Sequence, residues 1–248
     1  MNTPAIALAL ACALAIGTTH AQVQPGAVAS AAKPTDADLG DADSFQRAST
    51  YLGLATTLRM VITAACPLDD PATEICIVRA PDGNATPFDL PSLASIKLPA
   101  KASKSLLCFQ LTPRVLTNFE NVRATPLVAS FVANIKVRIE NPMLDDATLI
   151  NPHTGAPFDG RIETLFNSYA DVHMIRPLDI DQKRITFTQG CVNGLVSQRV
   201  LRDTYGLTDA QAKHFFTQPM TVTFGAQGNA TAVKLVALSF GVRLYGDK

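Results

Sequence analysis

His153, His173 and His214 are the side chains of this sequence best suited to acid–base or metal chemistry, and their spacing restricts both. None stands four residues from another, and no His-Glu-x-x-His occurs, so no helix face carries a ready-made zinc pair. A metal centre would have to assemble through folding, with help from Asp171 or Asp179, and a hydrolytic site would need one of these histidines beside nearby carboxylates. Nucleophilic catalysis has less to build on. Gly194-Leu195-Val196-Ser197-Gln198 lacks the second glycine of a nucleophile elbow. Ser30-Ala31-Ala32-Lys33 has Ser-x-x-Lys spacing but lies in an Ala- and Pro-rich stretch that cannot hold a site rigid. The alternating acids Asp36, Asp38, Asp41 and Asp43 resemble half a calcium loop, yet Arg47 stands at the twelfth position, where a bidentate Glu belongs. The pairs Asp69-Asp70, Asp145-Asp146 and Asp179-x-Asp181 are suited to glycoside hydrolysis by residue type. They read as turns, and the chain has no Trp to stack a sugar ring. The expectation is therefore no catalytic residue, no metal and no cofactor.

The densest cluster of turn-forming residues runs from Asn151 to Arg161 and follows a long strand pattern. Loops held by a rigid scaffold are frequent carriers of binding residues, which makes Asn151, His153, Thr154, Phe158, Asp159 and Arg161 the candidate binding loop. Asn84-Ala85-Thr86 and Asn229-Ala230-Thr231 match glycosylation acceptors, which are incidental if the chain is bacterial.

The cysteines indicate the setting. Residues Ala5 to Gly17 form an uncharged apolar run, too short to span a bilayer and followed by Thr19-His20-Ala21. That is the shape of a signal peptide cleaved after Ala21, and its Ala-rich character points to bacterial export. Cys12 lies inside the run, with a poor lipoprotein context in Ala9-Leu10-Ala11. Export puts Cys66, Cys76, Cys108 and Cys191 in an oxidising compartment, periplasmic or extracellular. Cys-x9-Cys is the closest spacing among these four, unlike a thioredoxin motif or a zinc ribbon. Cys66 and Cys76 flank a turn-rich segment and are expected to pair locally, leaving Cys108 with Cys191. The loop-entropy argument gives the short bridge roughly 2–3 kcal/mol and the long one about 4 kcal/mol.

Lys+Arg and Asp+Glu both number 21, so the chain is formally neutral and has no basic excess for nucleic acid or anionic lipid. Hydrophobic residues make up 47% against 17% charged, enough to bury a substantial core. Beyond the signal region no stretch is apolar and charge-free for long enough to make a transmembrane helix.

The elements that would position these residues are mostly strands. Leu127 to Glu140 alternates, with Leu127, Ala129, Phe131, Ala133, Ile135, Val137 and Ile139 on one face and polar residues on the other. Leu52–Ile62 reads as a half-buried strand. Shorter strands are expected at Ile75–Arg79, Ser105–Leu111, Arg161–Asn167, Val172–Ile175 and Arg184–Thr188. Met220–Phe224 and Thr231–Tyr245 are expected to form a hairpin through Gly228-Asn229, and Asp159-Gly160 marks another turn. The last of these strands carries Val236, Leu238, Phe240, Val242 and Leu244 on one face, and is expected centrally in its sheet, with an edge role as the alternative. A helical pair interrupts the strands over about 197–217, its second helix opened by the capping box Thr208-Asp209-Ala210-Gln211.

Together these readings predict a mainly β protein. Its architecture would be an antiparallel β-sandwich with a short helical insertion, stabilised by two disulfides. Residues 1–21 would be the signal peptide, 22–43 a flexible Ala/Pro/Asp-rich leader and 44–248 a single domain. The functional expectation is an exported, non-catalytic binding or assembly protein of the cell envelope, partnered by another envelope or secreted protein and not by nucleic acid. The alternatives are an exported hydrolase with a His/carboxylate site and a self-assembling surface or pilus-like subunit.

Overall fold

The computed structural model describes residues 50–55, 59–66, 74–104, 106–186 and 196–246. The expected signal peptide and leader, the side chain of Cys108 and the whole of Cys191 lie outside the described residues. The strands are β1 (Thr50–Ala55), β2 (Arg59–Thr63), β3 (Glu74–Val78), β4 (Thr86–Leu98), β5 (Leu106–Glu120), β6 (Leu127–Glu140), β7 (Arg161–Ile175), β8 (Ile180–Thr186), β9 (Val196–Ser197), β10 (Met220–Thr231) and β11 (Val233–Gly246). Two helices, α1 (Gln198–Asp203) and α2 (Asp209–Thr217), interrupt them where the helical pair is expected.

The protein is mainly β, with two sheets. One has seven strands in the order β3-β2-β11-β5-β8, with β1 also on β11 and β9 also on β5; the other has the order β4-β10-β6-β7. Every pairing is antiparallel except β2 with β3, which run parallel in register from Arg59↔Glu74 to Thr63↔Val78. Cys66 and Cys76 are disulfide-bonded, with Cα atoms 5.9 Å apart, and so pin β3 to the end of β2. This is the disulfide found among the described residues.

The alternation of β6 matches its burial. Ala129, Phe131, Ala133 and Val137 are fully buried, and Ile135 and Ile139 nearly so. Burying Phe131, Ile135, Val137 and Ile139 contributes roughly 1.5–3 kcal/mol each before chain entropy is counted. On β11, Val236, Leu238, Val242 and Leu244 are buried too. β11 occupies the centre of its sheet, with β5 on one side and β1 and β2 on the other. It therefore presents no edge to a partner. Residues from both sheets, among them Phe119 of β5, Phe131 of β6 and Phe224 of β10, join one buried apolar cluster with Leu201, Phe215 and Phe216 of the helices.

Several local expectations are corrected. Leu52–Ile62 is two strands, β1 and β2, laid end to end along β11. Arg161–Asn167 and Val172–Ile175 are one strand, β7, with a bulge near its middle. Gly228-Asn229 is not a turn; both residues lie inside β10, paired to β4 and β6. Gly228 is required because the Val132 carbonyl and the Phe88 ring occupy the space a Cβ would need. The chain turns instead at Ala232, which has a φ of 55°, and there it leaves one sheet for the other, so β10 and β11 are not a hairpin. β4 was not anticipated, because Pro87 and Pro91 interrupt its pattern. Both prolines are accommodated because β4 is an edge strand, and Pro91 falls at its register shift.

The helical insertion forms as its sequence dictates. Ser197 caps α1 through its hydroxyl, which accepts from Val200 N, and Gly206 ends that turn with a φ of 71°. Thr208 and Gln211 make the reciprocal capping box of α2. Ala212, Phe215 and Phe216 turn inward, and the buried Asn141 side chain donates to Phe215 O at 2.9 Å.

Candidate functional site

The most unusual feature of the molecule is the last third of β7, where the ordinary alternation is inverted. Tyr169, Asp171, His173 and Ile175 pair with Ala133, Phe131, Ala129 and Leu127 of β6, so the polar trio shares the face of the buried row. Ala170, Val172 and Met174 occupy the outward face, where Val172 is 58% and Met174 68% exposed. Burying apolar groups is favourable and burying charge is costly. A strand that does the reverse needs a local reason on each face.

On the inward face the reason is a polar cluster joining the two sheets. β8 is the edge strand of the larger sheet, and its Asp181 and Lys183 lie opposite Phe119 and Thr117 of β5, both fully buried. Period-two geometry aims Asp181 and Lys183 at the same face. There His173 Nδ1 sits 3.2 Å from Asp171 Oδ1 and Nε2 2.8 Å from Asp181 Oδ2, the second contact too bent for a good hydrogen bond. Lys183 Nζ is 3.5 Å from Asp171 Oδ1, and the Tyr169 hydroxyl donates to Asp171 Oδ2 at 3.4 Å. The His173 ring meets Phe119 edge-on, with centroids 5.1 Å apart. Burial, reinforced by the negative charge of Asp171 and their hydrogen bond, raises the Tyr169 phenol to about 12. Asp171 is only 6% exposed and needs all three neighbours to offset its desolvation. The half-exposed partners Asp181 and Lys183 are worth about 0–1 kcal/mol each. Chemically the cluster is a polar clasp between β7 and β8, with Lys183 and Asp171 as its ion pair.

On the outward face the apolar residues continue around one corner of the molecule. Val128, Val172 and Met174 are exposed on this outer face, Val122 and Leu178 are exposed on the turns at its end, and Ile180 is exposed on β8, where alternation with Asp181 turns it to the outer side of the other sheet. Val128 pairs with Met174, and Ile180 with Glu120 beside the Val122 loop. Asn121 fixes this corner. It is 1% exposed; its Nδ2 donates to Thr125 O, Ile175 O and Arg176 O at 2.8, 3.2 and 3.0 Å. Its Oδ1 accepts from Arg123 N, and its backbone N–H donates to Asp179 O. The turn so held presents Leu178 76% exposed at a φ of 56°, a conformation that a branched side chain adopts only at a cost.

The expected binding loop is a well-bonded structure. Asn151 organises it: its Oδ1 accepts from His153 N, its carbonyl from Gly155 N, and its N–H donates to Ala156 O. Phe158 is buried and packs near Tyr205, so it anchors the loop. His153 lies edge-on to the same Tyr205 ring, whose hydroxyl is shifted upward by burial. Thr154, Asp159 and Arg161 are exposed. Asp159 and Arg161 reach an open cleft of about 460 Å³ shared with Lys97, Glu140 and Asp145. Gly160 in its wall has a φ of 74°, a left-handed conformation that favours glycine.

The three histidines among the described residues have separate surroundings. His153 belongs to the loop, His173 to the clasp, and His214 on α2 contacts Thr217 and Gln218. None of them lines the cleft. Among the described residues no group of three or more His, Cys, Asp or Glu side chains is placed to hold a metal ion. The signal that would have found the clasp is period-two spacing of charge in two strands, Asp171/His173 and Asp181/Lys183.

No protein-family model matches the chain, and no curated protein matches it. Among solved structures, the empty capsid of Triatoma virus aligns over 98% of this chain and 83% of its own at 11% identity, with a TM-score of 0.13 that carries no argument about fold or function. No helix among the described residues is long and apolar enough to cross a membrane.

Proposed function

We propose that this chain is an exported, non-catalytic binding or assembly protein, periplasmic or secreted, whose partner is another protein of the cell envelope. The observation that carries the reading is the apolar corner: Val128, Val172 and Met174 on an outward sheet face, with Val122 and Leu178 on the bonded turns at its end. A clustered apolar surface of this kind is the usual mark of a protein-binding site. The cleft beside Arg161 offers mixed charge without a histidine, which suits recognition better than turnover.

The same proposal includes the finer architecture. Residues 1–21 act as a signal peptide, 22–43 as a leader and 44–248 as one domain. The two sheets pack as a sandwich, and Cys108 pairs with Cys191 as a second disulfide. The Cys66–Cys76 bridge supports the oxidising compartment this requires.

The test is capture from envelope extract with tagged wild-type chain and with Leu178→Asp and Met174→Asp variants, each checked for folding. A stoichiometric protein retained by wild type and lost with both variants is the expected result. A wild-type blank after mild cross-linking, or retention unchanged in both variants, would refute the surface assignment.

A further inference from the structure

The end of β7 is self-complementary. Among the described residues β7 pairs on one side only, with β6, so its other side is a sheet edge. Along Ala170-Asp171-Val172-His173-Met174, a two-fold axis through Val172 and perpendicular to the sheet exchanges Ala170 with Met174 and Asp171 with His173. Antiparallel pairing about such an axis keeps each face on its own side. On the outward face Val172 meets Val172 of the second copy, and small Ala170 meets large Met174. On the inward face each Asp171 meets a His173, an acid opposite a base.

Charges facing inward on an edge strand ordinarily discourage pairing. In this register they favour it, because acid and base alternate around the axis and no like charges are opposed. Leu178 and Leu165 extend the match. Leu165 is 59% exposed near the other end of β7, and Leu178 is 76% exposed on the turn that follows it. The same two-fold brings the turn of one copy toward the Leu165 end of the other. An antiparallel pair would thus cover part of the exposed apolar row and satisfy the backbone groups of both edges.

We infer that the partner of the β7 edge is a second copy of this chain, joined through β7 into one continuous eight-stranded sheet in the order β4-β10-β6-β7-β7-β6-β10-β4. The inference rests on the reading of this corner as a docking surface and names its occupant. A single strand-to-strand seam is a small interface, so the dimer is a weak and concentration-dependent one.

The test is sedimentation equilibrium on the purified chain from about 1 to about 200 μM, beside Val172→Arg, Val172→Cys and Leu54→Cys. Val172 is exposed, so its replacement leaves the fold intact, as far-ultraviolet circular dichroism would verify. Wild type is expected to approach the mass of two chains at the top of the range, and Val172→Arg to stay monomeric by setting two cations against each other on the axis. Val172→Cys is expected to oxidise to a covalent dimer, since paired strands bring Cα atoms within disulfide reach, while Leu54→Cys on β1 does not. A wild type that remains monomeric with no cross-link at position 172 overturns the inference, as does a dimer indifferent to Val172→Arg. If the inference fails in this way while capture of an envelope protein still depends on Leu178 and Met174, the proposed function stands with a different occupant; if capture fails too, both fall.

Discussion

Replacing Asn121 with Ala tests whether the apolar corner is a rigid presentation or a loose end. Asn121 is buried at 1% exposure, and its Nδ2 has two hydrogens to share among three carbonyl oxygens, those of Thr125, Ile175 and Arg176. Its Oδ1 takes a further bond from Arg123 N at 2.9 Å. Counting two donor bonds and one acceptor bond at about 1 kcal/mol net each gives a loss of about 3 kcal/mol. The carbonyl of Ile175 lies deep enough that water replaces the side chain poorly, so the estimate is not reduced for rehydration. For a domain of this length the loss corresponds to a fall in Tm of roughly 6–12 °C. Urea denaturation would measure it, with the slope against denaturant unchanged if only the native state is affected. A loss below about 1 kcal/mol would refute the reasoning. It would mean that solvent serves these carbonyls and that Leu178 is not held in place by Asn121.

Leu178→Gly should leave stability within about 0.5 kcal/mol of wild type or raise it, because relief of the left-handed conformation offsets the extra freedom of the unfolded glycine. A drop of more than about 1.5 kcal/mol in the same urea assay would show the leucine to be packed and not strained. Tyr169 predicts an alkaline transition. Its folded value of about 12 exceeds the ordinary 10, so its contribution is complete below pH 10 and is lost as pH rises from there through 12. Solvent screening at this partly exposed site reduces the effect to about 1 kcal/mol, which Tyr169→Phe should abolish in stability measurements across that window. Gly228→Ala should cost about 2–3 kcal/mol by forcing β10 away from the Val132 carbonyl; thermal denaturation indistinguishable from wild type would contradict the close approach.

The parts of the fold legible in the sequence were those where one residue period acts alone. β6 alternates without interruption, and its bounds and buried row follow from that. The Thr208/Gln211 box is a local device and formed as written. β4 was hidden because Pro87 and Pro91 are tolerated only by virtue of its edge position, which is a tertiary fact. The parallel placement of β3 depends on the route of the chain and not on its side chains. Gly228-Asn229 has turn chemistry, but crowding by Val132 sets its role, while the actual reversal falls on an alanine with no turn signature. The site was least legible. Residues 170–174 show a regular alternation, yet nothing local states which of its two rows faces the core. The apolar row would ordinarily be assigned inward; the partners Asp181 and Lys183 on β8 make the opposite assignment possible.

The switch of sheets at Ala232 also bears on how the molecule comes into being. Met220 to Gly246 is one nearly unbroken extended stretch that supplies the inner strand between β4 and β6 and then the inner strand between β5 and the β1–β2 pair. Until those residues are in place, β4 and β6 have nothing between them, and β5 has no neighbour on that side. Both sheets are therefore completed late and together, by contacts between residues far apart in sequence, which makes for slow folding with apolar edges uncovered in the meantime.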